Sequence, residues 1–246
     1  MRISFIFVLP ALITLTAASA QQAPTPKPSK AELVAQLRSD DVKVRSGAFE
    51  SVRTDAVIVR DPEVRAALID LLDRENHENP AESGEDEDYS MYVGTLADTV
   101  TKIVDWGSPR QVCILADSLL PLNELADHAK VAVPCLLQKY KTISVPFRGY
   151  VVAMLVQALA KGKNDLDVAT VHEVQEIILS GLHDTDHGFK GDTIRALGKF
   201  GGEDMVPALR AVADAETSND AGSRSIRRRT LEAIAAIEKR AGQPHQ

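Results

Sequence analysis

The chain has 246 residues, with 28 Lys and Arg against 35 Asp and Glu and a formal net charge of −7. This negative charge disfavours binding to a phosphate backbone, and an aromatic content of 4% leaves few side chains on which bases could stack. We therefore expect no nucleic-acid partner.

Residues 1–20 have the three-part pattern of a secretory signal peptide. Arg2 precedes an apolar run from Ile3 to Leu15, and small residues flank Ser19. Because this run is shorter than the ~20 residues that cross a bilayer, an uncleaved membrane anchor is the less favoured alternative. We predict cleavage after Ala20, export to the periplasm or extracellular space, and no membrane span in the mature chain.

The segments that follow the signal peptide divide by composition. Residues 21–30 contain three prolines and no apolar periodicity, which predicts an extended linker. Residues 31–242 are predicted to form the folded domain, and residues 243–246 a short tail. Cleavage would remove one basic residue, Arg2, and no acidic one, so the mature secreted protein stays acidic.

A five-residue pattern recurs along the predicted domain: Asp or Ser, two variable residues, an apolar residue, and Arg or Lys. The Asp or Ser can cap a helix by accepting hydrogen bonds from first-turn amides, while the apolar residue turns into the core. We expect the basic residue to reach the Asp of a neighbouring turn. Each copy is predicted to start a helix, and the cap and basic residues are Asp41 and Arg45, Asp61 and Arg65, Ser144 and Arg148, Asp186 and Lys190, and Ser223 and Arg227.

The spacing of these helix starts indicates a repeat. From Ser144 onward they follow at intervals of about 40 residues, the length of a two-helix unit in a solenoid. The segment from Tyr150 to Ala160 is apolar nearly all round, so it should be the buried middle of the stack. The predicted fold class is all-α, an α-α superhelix of about five two-helix units.

The segment from His183 to Asp214 resembles a HEAT repeat of the short bacterial, phycobilisome-lyase-like kind, an armadillo-type α-solenoid module. The family's turn residue is matched by Asp186, and its apolar-basic pair by Phe189-Lys190. The end of its first helix is matched by Ala196-Leu197-Gly198, and the start of its second helix by Val206-Pro207-Ala208-Leu209.

The resemblance implies that the second helix of each unit lines a concave inner face. In this chain those helices would include segments near Asp61 to Asp73, Ser108 to Leu120 and Glu203 to Asp214. The resemblance also implies a surface for binding other proteins.

A cluster of histidines and aspartates stands at the start of the HEAT-like segment, and its members are His183, Asp184, Asp186 and His187. These residue types bind zinc and other transition metals. The competing interpretation is a turn between helices, in which Asp186 caps a helix and His183 ends one, where a cation is favoured. We favour the turn, because the repeat pattern explains each position, and we expect no metal and no cofactor.

Two other motifs are weaker metal candidates. His172-Glu173 begins like a zinc-protease helix, but Glu176 stands where the second histidine is required. The acidic run at 75–90 could bind calcium or a basic partner, but it lacks the order of an EF-hand loop. We interpret it as a solvated insertion between helices.

Arg227, Arg228 and Arg229 could form an anion site. On a helix, however, they fan across neighbouring faces beside a stripe of Ile226, Thr230, Ala233 and Ile237. We interpret the three arginines as a solvated outer face.

Cys113 and Cys135 are the two cysteines of the chain. An oxidising compartment and two helices antiparallel around residues 121–124 would allow a disulfide. The alternative is two separate buried thiols. By a small margin we favour the separate thiols, because a disulfide needs both residues on one shared face at a suitable separation.

Most distinctive residues are therefore explained by capping and packing, and no hydrolase elbow, phosphate-binding loop or Cys-x-x-Cys motif occurs. We expect an exported, non-enzymatic scaffold that binds another protein through its concave face. The acidic balance suggests a partner with a basic or mixed surface. The alternative function is a metal-binding or enzymatic HEAT-like protein that uses His183, Asp184, Asp186 and His187.

Overall fold

The computed structural model describes residues 28–78, 87–118 and 123–242, and in these ranges the protein is helical without a β-strand. The predicted all-α fold class is confirmed, whereas the number of repeats stays a prediction. The α-helices are α1 Lys30–Leu37, α2 Val42–Arg53, α3 Pro62–Glu78, α4 Glu87–Thr101, α5 Pro109–Asp117, α6 Asn123–Asp127, α7 Ala129–Thr142, α8 Arg148–Gly162, α9 Val168–His183, α10 His187–Phe200, α11 Val206–Ala215 and α12 Ala221–Ala241.

The predicted signal peptide, its cleavage site and the tail at 243–246 lie outside the described residues. The predicted acidic loop at 75–90 overlaps both neighbouring helices, since α3 continues to Glu78 and α4 begins at Glu87. Residues 79–86, between these helices, also lie outside the described ranges. None of the described helices is long and apolar enough to cross a membrane.

Helix α1 is capped by Ser29 and begins at Lys30, so these two residues of the predicted linker at 21–30 belong to the first helix and its cap. The Ser29 hydroxyl accepts from the Glu32 amide at 3.3 Å, and the Glu32 carboxylate accepts from the Ser29 amide at 2.7 Å. This reciprocal capping box satisfies two amides that would otherwise lack partners at the start of α1. Lys30 adds a tertiary contact, because its Nζ lies 3.3 Å from the carboxylates of both Asp61 and Glu63.

The helices lie in two layers. Among the odd-numbered helices α1 contacts α3, α3 contacts α5 and α5 contacts α7, and further along α9 contacts α11. Among the even-numbered helices α2 contacts α4, α6 contacts α8, α8 contacts α10 and α10 contacts α12. Consecutive helices such as α7 and α8, or α11 and α12, pack across the layers. We call the exposed sides of the odd-numbered helices the odd-helix face.

The core runs through the interior of this stack. Helix α8 contacts α6, α7, α9 and α10, and most of its residues are buried, as expected for the middle of the stack. Tyr150, which is 53% exposed, and Ala160 are exceptions at either end of the predicted buried segment. The stripe on α12 is buried as predicted, and its members are Ile226, Thr230, Ala233 and Ile237.

A buried ion pair joins helices near the N-terminus. The Arg45 side chain on α2 is 1% exposed and the Glu75 side chain on α3 is fully buried, with Nε 2.8 Å from Oε1. Arg45 also donates to the backbone carbonyls of Ser39 and Asp40 at 3.1 and 2.9 Å. The Tyr92 hydroxyl on α4 donates to Glu75 at 3.3 Å. Because buried charges are costly without partners, this network ties α2, α3 and α4 together.

Candidate functional site

The residues of the candidate metal cluster form a turn between α9 and α10. His183 is the last residue of α9, and His187 is the first residue of α10. Asp184 Oδ1 accepts from the Asp186 amide at 2.8 Å, and Asp186 Oδ1 accepts from the Phe189 amide at 2.9 Å. Both carboxylates therefore organise the turn rather than converge on one point.

Across residues 28–78, 87–118 and 123–242, no three His, Cys, Asp or Glu side chains are grouped so that they could hold a metal ion. His172, Glu173 and Glu176 are exposed on α9, where the Glu173 carboxylate lies 3.0 Å from Lys141 Nζ on α7. Within the described ranges, the structure thus brings neither the His183–His187 cluster nor His172, Glu173 and Glu176 into a shared coordination sphere.

The aspartates of the recurring pattern begin helices. Each accepts from an amide of its first turn, so that Asp41 Oδ1 lies 2.8 Å from Lys43 N, Asp61 Oδ1 3.0 Å from Glu63 N and Asp186 Oδ1 2.9 Å from Phe189 N. These bonds satisfy first-turn donors that have no partner within the helix.

The two serines of the pattern do not cap their helices. Ser144 precedes a 3₁₀ turn, Val145–Phe147, and makes no capping hydrogen bond to it, while α8 begins only at Arg148. Helix α12 begins at Ala221, and its cap is Asp220, whose Oδ1 accepts from the Ser223 amide at 2.9 Å. The prediction at Ser223 was wrong by three residues, because Asp220 also offers a capping side chain and a carboxylate accepts more strongly than a hydroxyl. Hydrogen bonds from Ser218 and Ser223 hold the pKa of Asp220 below its ordinary value.

The basic residues of the pattern do not contact the Asp of neighbouring turns, which corrects that expectation. Arg45 pairs with Glu75, and Lys190 Nζ lies 3.0 Å from the Glu216 carboxylate. The remaining basic residues differ again: Arg65 donates to the Ile103 carbonyl, Arg148 lies 5.4 Å from the centre of the Tyr140 ring, and Arg227 is exposed. The pattern supplies a cation at each helix start, and the neighbouring helix determines its partner.

The cysteines form a disulfide between α5 and α7. The Sγ atoms of Cys113 and Cys135 are 2.00 Å apart, and their Cα atoms are 5.0 Å apart. The expectation of separate thiols was therefore wrong. Its physical reason lies in the packing of α5 directly against α7, which places both residues on the shared side of the two helices.

The three arginines of α12 lie on or near its outer surface. Arg227 and Arg228 are exposed, and Arg229 is half-buried with its guanidinium against Gly191 of α10. Arg228 Nε is 3.9 Å from the Glu232 carboxylate one turn later. This arrangement matches a solvated terminal helix face, and the three guanidinium groups do not share a pocket.

Ion pairs connect successive helices along the odd-helix face. Four neighbouring pairs of helices, from α1 to α9, are bridged in this way. The bridges are Lys30–Glu63 at 3.3 Å, Arg110–Asp70 at 3.5 Å, Lys139–Asp117 at 3.5 Å and Lys141–Glu173 at 3.0 Å. Each exposed pair contributes at most about 1 kcal/mol, but together they leave a mixed-charge surface that extends over several helices.

Sequence reasoning missed Glu75 and Glu216, the two carboxylates that pair with cations of the recurring pattern. Glu75 was grouped with the acidic run, and Glu216 lies in a polar stretch without a motif. The apolar neighbours of Glu75 at helical spacing, Leu68, Leu71 and Leu72, place this position on the buried side of α3 and could have revealed it. No comparable signal marks Glu216.

Comparisons with known proteins give little further information. No protein-family model matches this sequence, and a search of curated proteins finds no match. Among solved structures the chain is similar to the crystal structure of an engineered protein, with 13% identity, a TM-score of 0.39, and coverage of 85% of this chain and 96% of that one. At this TM-score the similarity supports no conclusion about fold or function.

Proposed function

We propose that the mature chain is an exported, non-enzymatic scaffold of HEAT-like units that binds another protein through its odd-helix face. The observation that supports this proposal is the series of odd-numbered helices that contains α3, α5 and α11, in which the Lys141–Glu173 ion pair connects α7 to α9. Helices α3, α5 and α11 coincide with the three segments that the HEAT resemblance assigns to a concave binding face. Helix α3 contacts α5 directly, and α11 contacts α9 in the same series.

The composition of this face supports a protein partner. Asp70 on α3 is exposed beside Arg110 of α5, at 3.5 Å, and Asp214 is exposed on α11. Interleaved charges of both signs favour a partner surface with complementary mixed charge, and salt should weaken the encounter. A continuous face of stacked helices is also the surface through which solenoid proteins bind extended partners.

The proposal is tested by reversing charge on one face at a time. The odd-face variant is Asp70→Lys with Asp214→Lys, and the matched even-helix control is Asp98→Lys with Glu232→Lys. Both double variants add the same charge at exposed positions. The mature protein would be used as bait in extracts of its native compartment, and the captured protein would then be purified for binding assays.

We expect the odd-face variant to bind the captured protein at least tenfold more weakly, and the control variant to bind within twofold of wild type. Thermal midpoints of both variants should stay close to wild type, because exposed pairs contribute little to stability. Equal losses in the two variants would contradict a face-specific interaction. If both charge-reversal variants retain binding and deletion of residues 82–88 abolishes it, the acidic segment is the binding element and the odd-helix face is not.

A further inference from the structure

A cleft of about 330 Å³ opens on the stack where the C-terminal ends of α8 and α10 meet α9 and the 3₁₀ turn Glu203–Met205. Its floor is apolar, and it consists of Val156 from α8, Ile178 from α9 and Leu197 from α10, which are at most 2% exposed. The half-buried ring of Phe200 extends this floor. The cleft therefore leads directly from the surface to the core between the two layers.

Short residues keep the cleft open. Ala160, Gly201 and Gly202 line it, so no large side chain projects from these positions. Arg240 of α12 holds this edge in place, because it donates to the Gly198 carbonyl and, at 2.8 Å, to the Gly201 carbonyl. This edge of the opening is thus held by tertiary contacts to the backbone.

The charged groups beside the cleft neutralise each other. Lys163 Nζ lies 3.7 Å from the Asp204 carboxylate, which connects the turn after α8 to the turn after α10. The amides of Asn164 and Gln175 also line the cleft. The residues that line the cleft thus offer hydrogen bonds and carry no net charge, which suits a neutral group better than an anion or a cation.

The cleft borders the odd-helix face at α9, which contributes Gln175 and Ile178, while the other α-helical lining residues come from α8 and α10. Ion pairs bridge the odd-numbered helices from α1 to α9, but in the described part of the chain none bridges α9 to α11. The cleft lies at this step, beside α9 and the turn that leads into α11. An apolar recess surrounded by a polar face is the arrangement in which a single anchoring side chain of a partner contributes most of the binding energy.

We propose that this cleft anchors one large, uncharged apolar side chain, such as Leu, Met or Phe, from an extended segment of the partner protein. This proposal rests on the proposed function and specifies the chemistry that the odd-helix face recognises. The apolar floor takes the side chain, and the Asn164 and Gln175 amides bond to the main chain that carries it. A volume of about 330 Å³ accommodates one large apolar side chain together with the main chain that carries it.

The test uses blocked amino acids as probes and does not need the partner. N-acetyl-leucinamide and N-acetyl-phenylalaninamide would be titrated into the ¹⁵N-labelled mature protein, with N-acetyl-glycinamide as the control probe. We expect saturable shifts at the Gly201 and Gly202 amides and the Gln175 side-chain amide with the two apolar probes and not with the glycine probe. Absence of shifts at these positions, shifts of equal size with all three probes, or shifts concentrated elsewhere would overturn the proposal.

A variant that fills the cleft completes the test. Ala160→Trp should weaken binding of the apolar probes at least tenfold, whereas Ala235→Trp, at an exposed position of α12, should leave it unchanged. If Ala160→Trp does not fold, Asn164→Trp on the same edge replaces it. If partner binding survives Ala160→Trp but is lost on the odd-face charge reversal, the cleft is not the anchoring site, and the proposed function still holds.

Discussion

The same five-residue pattern starts α2 and α10, yet it buries different side chains at the two places. In Asp41-Val-Lys-Val-Arg45, Val44 is 40% exposed and Arg45 is fully buried. In Asp186-His-Gly-Phe-Lys190, Phe189 is 5% exposed and the Lys190 side chain is 13% exposed. Helix α10 buries the apolar residue of the pattern, as expected, whereas α2 exposes its apolar residue and buries the arginine.

The neighbours of each helix explain the difference. Helix α10 lies between α8 and α12, so an apolar residue near its start has a packing partner on both sides. Helix α2 lies at the N-terminal end of the stack, where it packs against α1 and α4 and pairs with α3 through Arg45, and the side that carries Val44 is exposed to solvent. The caps differ as well, because Asp41 bonds to the second amide after it and Asp186 to the third. The pattern fixes where a helix starts, and the surrounding helices fix which residue turns inward.

The largest effect should come from the N-terminal region. Arg45→Ala leaves the Glu75 carboxylate buried without its cation, which should cost about 3–5 kcal/mol of unfolding free energy. Lys190→Ala in the C-terminal region should cost only about 1 kcal/mol, because the Glu216 side chain retains contact with solvent at 12% exposure. Urea titrations followed by circular dichroism measure both values.

The apolar double variant Arg45→Met with Glu75→Leu is the control for the N-terminal change. It should recover most of the stability lost in Arg45→Ala, since a buried ion pair can be replaced by well-packed apolar residues at little cost. A loss in Arg45→Ala no larger than that in Lys190→Ala would show that the two regions do not differ in the way the structure indicates.

The next largest effect should come from the disulfide, which joins α5 to α7 between the two regions. Cys113 and Cys135 are separated by 22 positions, and removing a crosslink of this size by the double change to Ser should cost about 3 kcal/mol. The loss arises chiefly because the unfolded chain gains conformational freedom. Reductant should lower the midpoint of wild type to that of the variant and leave the variant unchanged. A wild-type midpoint that is insensitive to reductant under unfolding conditions would disprove the bond.

Two glycines should show opposite effects in the two regions. A methyl group at Gly181 of α9 would lie 2.6 Å from Thr193 Oγ1, whereas at Gly47 of α2 nothing lies within 4 Å. Gly181→Ala should therefore destabilise the protein by about 1–3 kcal/mol. Gly47→Ala should stabilise it by about 0.5–1 kcal/mol, because alanine restricts the unfolded helix segment. Thermal unfolding of the two variants side by side shows whether Gly181→Ala lowers the midpoint and Gly47→Ala raises it. Destabilisation by both substitutions would mean that α2 is packed as tightly as α9.

The smallest effect is the pH dependence of the C-terminal ion pair. The hydrogen bond from Lys190 holds the pKa of Glu216 below its ordinary value of 4.5. Since the folded pKa is the lower one, this stabilisation is complete above about pH 4.5 and is lost as the pH falls through the folded value. Glu216→Gln should cost on the order of 1 kcal/mol at pH 7.

Unfolding free energies at several pH values between 7 and 3 test this expectation. The difference between wild type and Glu216→Gln should shrink as the pH falls below about 4.5. A difference that stays constant across this range would mean that the carboxylate does not gain from Lys190 in the folded state.

Periodicity and capping chemistry were sufficient to predict the helical fold, because both are local. The stripe on α12 could be predicted from the spacing of Ile226, Thr230, Ala233 and Ile237, and the cap at Asp186 from its distance to the first apolar residue. The partners of Arg45 and Lys190 could not be predicted, since they come from helices whose packing is set by the whole stack. The cap at Asp220 was missed because Ser223 offered the same local signal three residues later.

The proposed interaction surface rests on the family resemblance and stays a prediction. The resemblance at His183 to Asp214 implies that the segments around α3, α5 and α11 line one face. The cleft between α8, α9 and α10 could not be anticipated, because it depends on where Gly201, Gly202 and Ala160 meet in space. Short residues at two separate places in a sequence carry no signal of a shared opening.

The most direct test of the central claim is carboxylate footprinting of the mature protein with and without its captured partner. A carbodiimide and an amine label exposed Asp and Glu side chains, and mass spectrometry quantifies the label at each position. Binding through the odd-helix face predicts at least threefold slower labelling of Asp70 and Asp214 in the complex, with Asp98 and Glu232 unchanged. Protection of Asp98 and Glu232 instead, or of the acidic residues at 82–88 alone, would contradict the account.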